Sequence, residues 1–295
     1  MNEFQGASAV QREPFFDPQT MKETPELEPL GLVSGPVALE LCEADAAFAL
    51  AGGPLAFTHA RLGGQLLSAA ELRRWAEQAG MAGNQGPAIR LEALTRPRSA
   101  FAGLAMSGEG ARPRIMGVCN VTPDSFSDGG DHTDPHGAIN FARRLVAAGA
   151  EIIDVGGESS RPGAAPVSRS DELARVLPVV EALAGDGVTV SIDTRHAETM
   201  QAAIEAGAAI INDVAALTAP GALEVAARSD AAVILMHMRG TPETMQDRPD
   251  YGDVVQDVYG WLADRVAICL EAGIGFGRLA VDPGRAGSAG YAAPA

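Results

Sequence analysis

Polar side chains end a series of short apolar runs in the second part of the sequence. Five of these runs finish at carboxylate or amide residues, which are Asn120, Asp154, Asp193, Asn212 and Asp282. An unpaired carboxylate at the end of a buried strand is costly, so such an aspartate needs a hydrogen-bond partner or a ligand. Ligands of parallel α/β folds bind at the carboxyl ends of the strands. The five residues are therefore candidates for a single ligand site.

The elements that carry these residues alternate regularly from Arg114 onward. Apolar runs predict strands at residues 115–118, 151–155, 188–192, 209–212, 232–236 and 279–281. Amphipathic segments predict helices at residues 135–148, 168–184, 197–206, 221–229 and 252–272. Near-continuous apolar strands that alternate with helices are typical of a parallel sheet covered on both faces. The pattern predicts an α/β fold of the (β/α)8 TIM-barrel type, incomplete, in which residues 113–284 supply about six of the eight βα units.

The chain before this alternation follows a different pattern. Residues 1–30 are polar and rich in proline, which predicts a disordered tail. Residues 31–112 are predicted to form a small α+β or irregular extension, with strands at 37–41, 54–62 and 88–94. Ser68 and Glu71 predict a capping box at the start of a helix over residues 68–80. The extension contains no recognisable catalytic motif, and its role is not indicated by its sequence.

Composition and charge narrow the class of partner. The chain carries 22 basic and 38 acidic residues, a net charge of −16, which argues against nucleic acid and anionic membranes as partners. An anionic substrate would then need local cations, a helix N-terminus or a metal ion to hold it.

No apolar run is long enough to suggest a transmembrane helix. The N-terminal residues lack the features of a secretory signal, and the three cysteines have no metal-ligand spacing, so we predict reduced thiols in a cytoplasmic protein. Residues 285–295 are small and aperiodic, which predicts an irregular tail.

Four segments together resemble the signatures of the dihydropteroate synthase family of the folate pathway. The first, residues 114–130, reads Arg-Ile-Met-Gly-Val-Cys-Asn-Val-Thr-Pro-Asp-Ser-Phe-Ser-Asp-Gly-Gly. The second is residues 152–163, the third combines residues 191–194 and 211–214, and the fourth is residues 279–284. The resemblance implies a pterin-binding barrel. It also implies a transferase that condenses p-aminobenzoate with a dihydropterin methyl diphosphate to give dihydropteroate and diphosphate.

The resemblance also assigns roles to particular residues. Asn120 matches the asparagine that coordinates Mg²⁺ in the family, and its amide oxygen is a hard ligand that suits this ion. Catalytic roles fall on Arg161, Asp193 and Asp282. Substrate-binding roles fall on Asp154, Ser160, Arg161, Pro162, Asp193, Asn212, Met238 and Asp282. In this interpretation the carboxylates and the amide match the donors and acceptors along the aminopyrimidinone edge of the pterin.

The resemblance ends at Gly284. Family members continue with a Ser-Arg-Lys element on the seventh strand and with a terminal arginine and histidine, which this sequence lacks; its one lysine is Lys22. The resemblance therefore implies a C-terminally truncated member, whose full-length family form is a homodimer. Two alternatives remain open, a pterin-binding methyltransferase module and an inactive fragment. Residues 122–130 and 159–163 belong to the synthase pattern and favour the first interpretation.

Overall fold

A computed structural model describes residues 26–108, 112–121, 135–158, 167–238 and 251–284. The chain divides into two compact units, residues 1–113 and residues 114–295, and each unit has a sheet of its own. Among the described helices, none is both long and apolar enough to cross a membrane.

The first unit is an antiparallel sheet with helices. Its strands are β1 (Leu27–Ser34), β2 (Phe48–Ala49), β3 (Leu55–Leu62) and β4 (Gln65–Ser68), with β3 paired to each of the other three. Its helices are α1 (Gly35–Glu43), α2 (Ala69–Met81) and α3 (Gly86–Thr95). Phe57 and Leu72 are fully buried at the centre of the core. The predicted capping box is confirmed, since the Ser68 hydroxyl accepts from the Glu71 backbone while the Glu71 side chain accepts from Ser68.

Three predictions for this unit were wrong. Residues 37–41 and 88–94 are helical, within α1 and α3, although both were predicted to be strands. Each helix has a proline in its first turn, Pro36 or Pro87, whose fixed φ favours a helix start over a strand interior. The tail was predicted to reach residue 30, but β1 begins at Leu27, which is buried and pairs with Leu62. Burial of this one leucine and pairing along β3 outweigh the polar composition around it.

The second unit confirms the predicted α/β class. Six parallel strands pair in chain order, β5 (Met116–Asn120), β6 (Ile152–Gly156), β7 (Thr189–Asp193), β8 (Ile210–Asp213), β9 (Ala232–Met236) and β10 (Leu279–Asp282). Helices alternate with them, α4 (Pro135–Ala147), α5 (Arg169–Gly185), α6 (Ala197–Glu205), α7 (Ala222–Arg228) and α8 (Val254–Glu271). Every bound lies within two residues of its prediction. Six of the eight strands of a TIM barrel are thus present among the described residues.

The two faces of this sheet have different chemistry. Alternate residues point to opposite faces of a strand, so the outward set, which includes Val155, Ile192, Ile211 and Leu235, is fully buried against the helices. Cys119 belongs to this set, and its thiol donates to the Ala138 carbonyl of α4. The opposite face receives the polar residues at the strand ends. Parallel register therefore brings these ends together.

The bend after β6 depends on a close contact with α5. A Cβ atom built on Gly157 would lie 2.8 Å from Val176 Cγ1 and 3.2 Å from the Glu172 carbonyl oxygen. The backbone carbonyl cannot move without displacing the helix. Only a residue without a side chain allows this approach.

We expect Gly157→Ala to lower the free energy of unfolding by about 1–3 kcal/mol, since overpacking a dense core forces backbone shifts. Gly185→Ala is the matched control, because Gly185 ends the same helix and has no atom within 4 Å of its Cβ position. It should be neutral or stabilise by up to about 1 kcal/mol. Chemical denaturation monitored by circular dichroism measures both. Equal midpoints for the two variants would contradict this account.

Candidate functional site

A row of strand-terminal residues forms the centre of the candidate site. Asn120, Gly156, Asp193 and Asn212 lie opposite one another on four successive strands, β5 to β8. Gly156 leaves room between its neighbours, since a Cβ atom there would lie 3.1 Å from Asn120 Oδ1 and 3.4 Å from Asp193 Oδ2. The amide oxygen and the carboxylate thus converge above the glycine. Three of the residues predicted for the site are brought together here.

Asp154 lies on β6 two residues before Gly156, on the same face of the sheet as the row, and is 4% exposed. Its Oδ2 accepts a hydrogen bond of 3.0 Å from Asn212 Nδ2, which fixes the Asn212 amide and turns its oxygen away from Asp154. Ser191 lies opposite Asp154 and is fully buried. Asp154 Oδ1 and Ser191 Oγ have no partner at hydrogen-bonding geometry within the described residues. Buried polar atoms of this kind usually meet a ligand or a water molecule.

The electrostatics of the row favour protonated carboxyl groups. Burial, followed by the negative charges of Asp154, Asp213, Glu172 and Glu158, raises the pKa of Asp193 to about 8. Burial also raises the pKa of Asp154, and the Ser191 and Asn212 side chains beside it offset part of that rise. A carboxyl group that titrates near neutral pH can either donate or accept a hydrogen bond in its complex with a ligand.

Asp213 follows Asn212 but performs a structural task that the sequence analysis missed. Its Oδ1 accepts from the Ala215 N–H at 2.7 Å and its Oδ2 from the Leu217 N–H at 2.8 Å. Arg265 donates to the carbonyl oxygens of Ala216 and Leu217, at 2.9 and 3.1 Å. These bonds hold Ala216 and Leu217 at φ values of 50° and 58°, which are rare for residues with a side chain. The turn after β8 is therefore fixed from both sides.

The far end of the sheet presents Asp282 and Met238. Asp282 is exposed at the end of β10, where its backbone carbonyl accepts from the His237 N–H and its Oδ1 from the Gly284 N–H, both at 2.8 Å. A Cβ atom on Gly284 would lie 2.4 Å from the His237 carbonyl oxygen, so this turn requires glycine. Met238 lines a cavity of about 470 Å³, together with Val214, His237 and Trp261. Asp282 lies at the same end of the sheet as Asn120, Asp193 and Asn212.

Three of the predicted site residues, Ser160, Arg161 and Pro162, lie outside the described residues, as do residues 122–130 of the first signature. Within the described ranges, no group of three or more histidine, cysteine or acidic side chains is arranged to hold a metal ion. Asn120, which the resemblance predicts to bind the metal ion, is exposed, and its amide oxygen lies near the Asp193 carboxyl group.

The fold defines a class: an α/β protein of the TIM-barrel type with polar side chains at the carboxyl ends of its parallel strands. The model of the family described as "Pterin binding enzyme" matches residues 116–291, more than half of the chain. The chain belongs to the pterin-binding enzyme family.

Similar proteins include dihydropteroate synthases. The Escherichia coli K12 enzyme is 50% identical over 175 residues, which cover 59% of this chain and 62% of that enzyme. The enzyme of Neisseria meningitidis serogroup B is 49% identical over 176 residues, with the same coverage. The chain thus spans less than two thirds of the length of these relatives.

Solved structures give the same result. Xanthomonas albilineans dihydropteroate synthase with 4-aminobenzoic acid is 48% identical, with a TM-score of 0.56 and coverage of 60% of this chain and 63% of that one. Burkholderia cenocepacia dihydropteroate synthase complexed with 7,8-dihydropteroate is 45% identical, with a TM-score of 0.53 and coverage of 59% of both chains.

The raised pKa of Asp193 predicts a pH dependence of stability. The folded chain keeps this proton up to a pH of about 8, whereas an unfolded aspartate releases it near pH 4. The folded state binds more protons between these values, so its stability should fall as the pH rises from about 4 to about 8 and then level off. We expect Asp193→Asn to reduce this slope but not to abolish it, because Asp154 and Asp213 also have raised pKa values.

Melting temperatures measured at half-unit steps between pH 5 and 9 test this expectation. Asp186→Asn is the control. Asp186 is an exposed carboxylate, and its ion pair with Arg143 lowers the pKa of Asp186. Its slope should match that of the unmodified chain. A slope unchanged by Asp193→Asn would show that this carboxyl group does not keep its proton.

Proposed function

We propose that this chain acts as a dihydropteroate synthase, joining p-aminobenzoate to a dihydropterin methyl diphosphate and releasing diphosphate. The observation that carries the proposal is the set formed by Asp154, Asp193 and Asn212, in which two carboxyl groups and an oriented amide meet at one end of a parallel sheet. The identity to dihydropteroate synthases over this part of the chain supports it.

Recognition of the pterin follows from the hydrogen-bonding capacity of these groups. The aminopyrimidinone edge of a pterin carries N–H donors beside acceptors. Asp193 supplies an acceptor, and the Asn212 amide oxygen supplies another because Asn212 Nδ2 is occupied by Asp154. A heterocycle without the matching donors would leave these groups unpaired, so the site would reject it.

The reaction itself needs positioning and electrostatic stabilisation. The amine nitrogen of p-aminobenzoate is neutral at pH 7, so it attacks the pterin methylene carbon without a strong base. The new C–N bond forms as the C–O bond to diphosphate breaks, and the nitrogen then loses a proton to solvent. Positive charge that develops on the pterin would be stabilised by Asp282, on β10, and by Asp193, on β7, once Asp193 has released its proton.

Mg²⁺ is part of the proposal. When bound, the ion would neutralise charge on the departing diphosphate. Asn120 would supply one amide oxygen, since it is exposed and its Oδ1 faces the space above Gly156. One protein oxygen suits an ion that takes most of its ligands from phosphate and water. Arg161, Ser160 and Pro162 keep the substrate-binding roles that the family resemblance assigns to them.

Cysteine usage and net charge bear on the cellular setting and the partners. We propose a cytoplasmic location, which agrees with the free thiols of Cys42, Cys119 and Cys269. The net charge of −16 supports small-molecule substrates over nucleic acid or membrane partners. A homodimer is proposed for the full-length family form.

Two measurements on the purified chain test the function. We expect the chain to bind a dihydropterin methyl diphosphate, by calorimetric titration with Mg²⁺, and to release diphosphate when p-aminobenzoate is added. Asp193→Asn should weaken binding about 10-fold to 100-fold, the effect of losing a hydrogen bond to a charged group. Asp186→Asn, at an exposed ion pair, is the control and should bind normally.

Each other result has a distinct meaning. Pterin binding without diphosphate release would favour a pterin-binding module, and diphosphate release without p-aminobenzoate would indicate hydrolysis. Absence of pterin binding would overturn the proposal in favour of a non-enzymatic fragment.

A further inference from the structure

A buried carboxylate lies beneath the turn that follows β7. Glu172, on α5, is 1% exposed and accepts three side-chain hydrogen bonds. Thr194 Oγ1 donates to its Oε1 at 2.6 Å, Thr199 Oγ1 donates to its Oε2 at 2.8 Å, and His196 Nδ1 lies 2.8 Å from Oε2. Thr194 and Thr199 are themselves buried. The roles assigned above use none of these four residues.

The network reaches the site through Thr194. This residue follows Asp193 directly, and its N–H donates to the Asn212 carbonyl oxygen at 3.1 Å. Its hydroxyl accepts from the His196 N–H at 3.1 Å while donating to Glu172. Thr194 is thus held by its backbone and by its side chain. The direction in which Asp193 leaves β7 follows from these bonds.

The same carboxylate also borders the end of β6. A Cβ atom on Gly157 would lie 3.0 Å from Glu172 Cγ, so the bend after Gly156 packs directly on this side chain. One turn later on α5, Arg175 donates to the Gly157 carbonyl oxygen at 3.1 Å. Glu172 therefore joins the ends of two neighbouring strands, which carry Gly156 and Asp193.

We propose that Glu172 is a positioning residue of the pterin site, which sets the placement of Asp193 relative to Asn212 by holding Thr194 and His196. This inference rests on the function proposed above. A carboxylate suits the task because it is an acceptor only, so its two oxygens can satisfy several donors at once. An amide at this position would place an NH₂ group against a donor, and an apolar residue would leave both hydroxyls unpaired.

The test separates positioning from simple stabilisation by removing bonds on either side of Glu172. Thr194→Val removes the hydroxyl that follows Asp193, whereas Thr199→Val removes a hydroxyl on α6 that is bonded to the same carboxylate. Each variant keeps the shape of threonine. Thr199→Val removes one buried hydrogen bond, whereas Thr194→Val removes two, the bond to Glu172 and the bond accepted from the His196 N–H, so the loss of melting temperature should be larger in Thr194→Val. Binding of a dihydropterin methyl diphosphate should weaken about 10-fold or more in Thr194→Val and Glu172→Gln, because a misplaced contact lowers affinity. It should change less than about 2-fold in Thr199→Val.

A control variant and a second measurement complete the experiment. Glu181→Gln alters an exposed acid on the same helix and should leave pterin affinity unchanged. Hydrogen exchange of the backbone amides at residues 193–196 should speed up in Glu172→Gln relative to Glu181→Gln. If Glu172→Gln does not fold, Thr194→Val decides the matter.

The outcomes distinguish this inference from the proposed function. An unmodified chain that does not bind the pterin overturns the proposed function, and the positioning role with it. Pterin binding by the unmodified chain with equal affinity in Thr194→Val and Thr199→Val overturns the positioning role alone. Weaker binding in Thr194→Val than in Thr199→Val, measured well below the melting temperatures of both variants, supports it.

Discussion

The accumulation of negative charge at one end of a parallel sheet is the constraint on which the second unit depends. Strands β6 to β8 and helix α5 place Asp154, Asp193, Asp213, Glu158 and Glu172 near one another. Each buried carboxylate would destabilise the fold without compensation. The compensations differ: an amide for Asp154, backbone N–H groups for Asp213, and hydroxyls and a histidine for Glu172. Arg195 lies 3.4 Å from Glu158.

Asp193 is the member of this group whose neighbours are mainly negative. The others are bonded to groups that fix them, whereas Asp193 leans over Gly156 and holds its proton to a pH of about 8. The protonation state of Asp193 can therefore change near neutral pH, whereas hydrogen bonds and ion pairs hold the other carboxyl groups in place. Such an arrangement suits a ligand whose own charge changes during a reaction.

The sequence predicted the second unit well because its signals are strong and local. Short runs rich in β-branched and apolar residues located β6, β7 and β9, and the family resemblance pointed to Asp154, Asp193 and Asn212. The first unit was harder to predict, since short apolar runs such as residues 37–41 fit a strand or a helix equally well and only Pro36 favours the helix. The network around Glu172 joins residues 22 to 27 positions apart, so no local pattern reveals it. Asp213 was missed because an acid beside a ligand residue resembles a second ligand.

Gly156 has a consequence for how this site can change over generations. Every substitution at a glycine codon adds at least a Cβ atom, and at this position the atom would meet the Asn120 amide on one side and the Asp193 carboxylate on the other. A mutation at a surrounding position can exchange one polar side chain for another, but no residue is smaller than the glycine at position 156. Substitution at the centre of the row should therefore be selected against, although Gly156 contributes no functional group of its own.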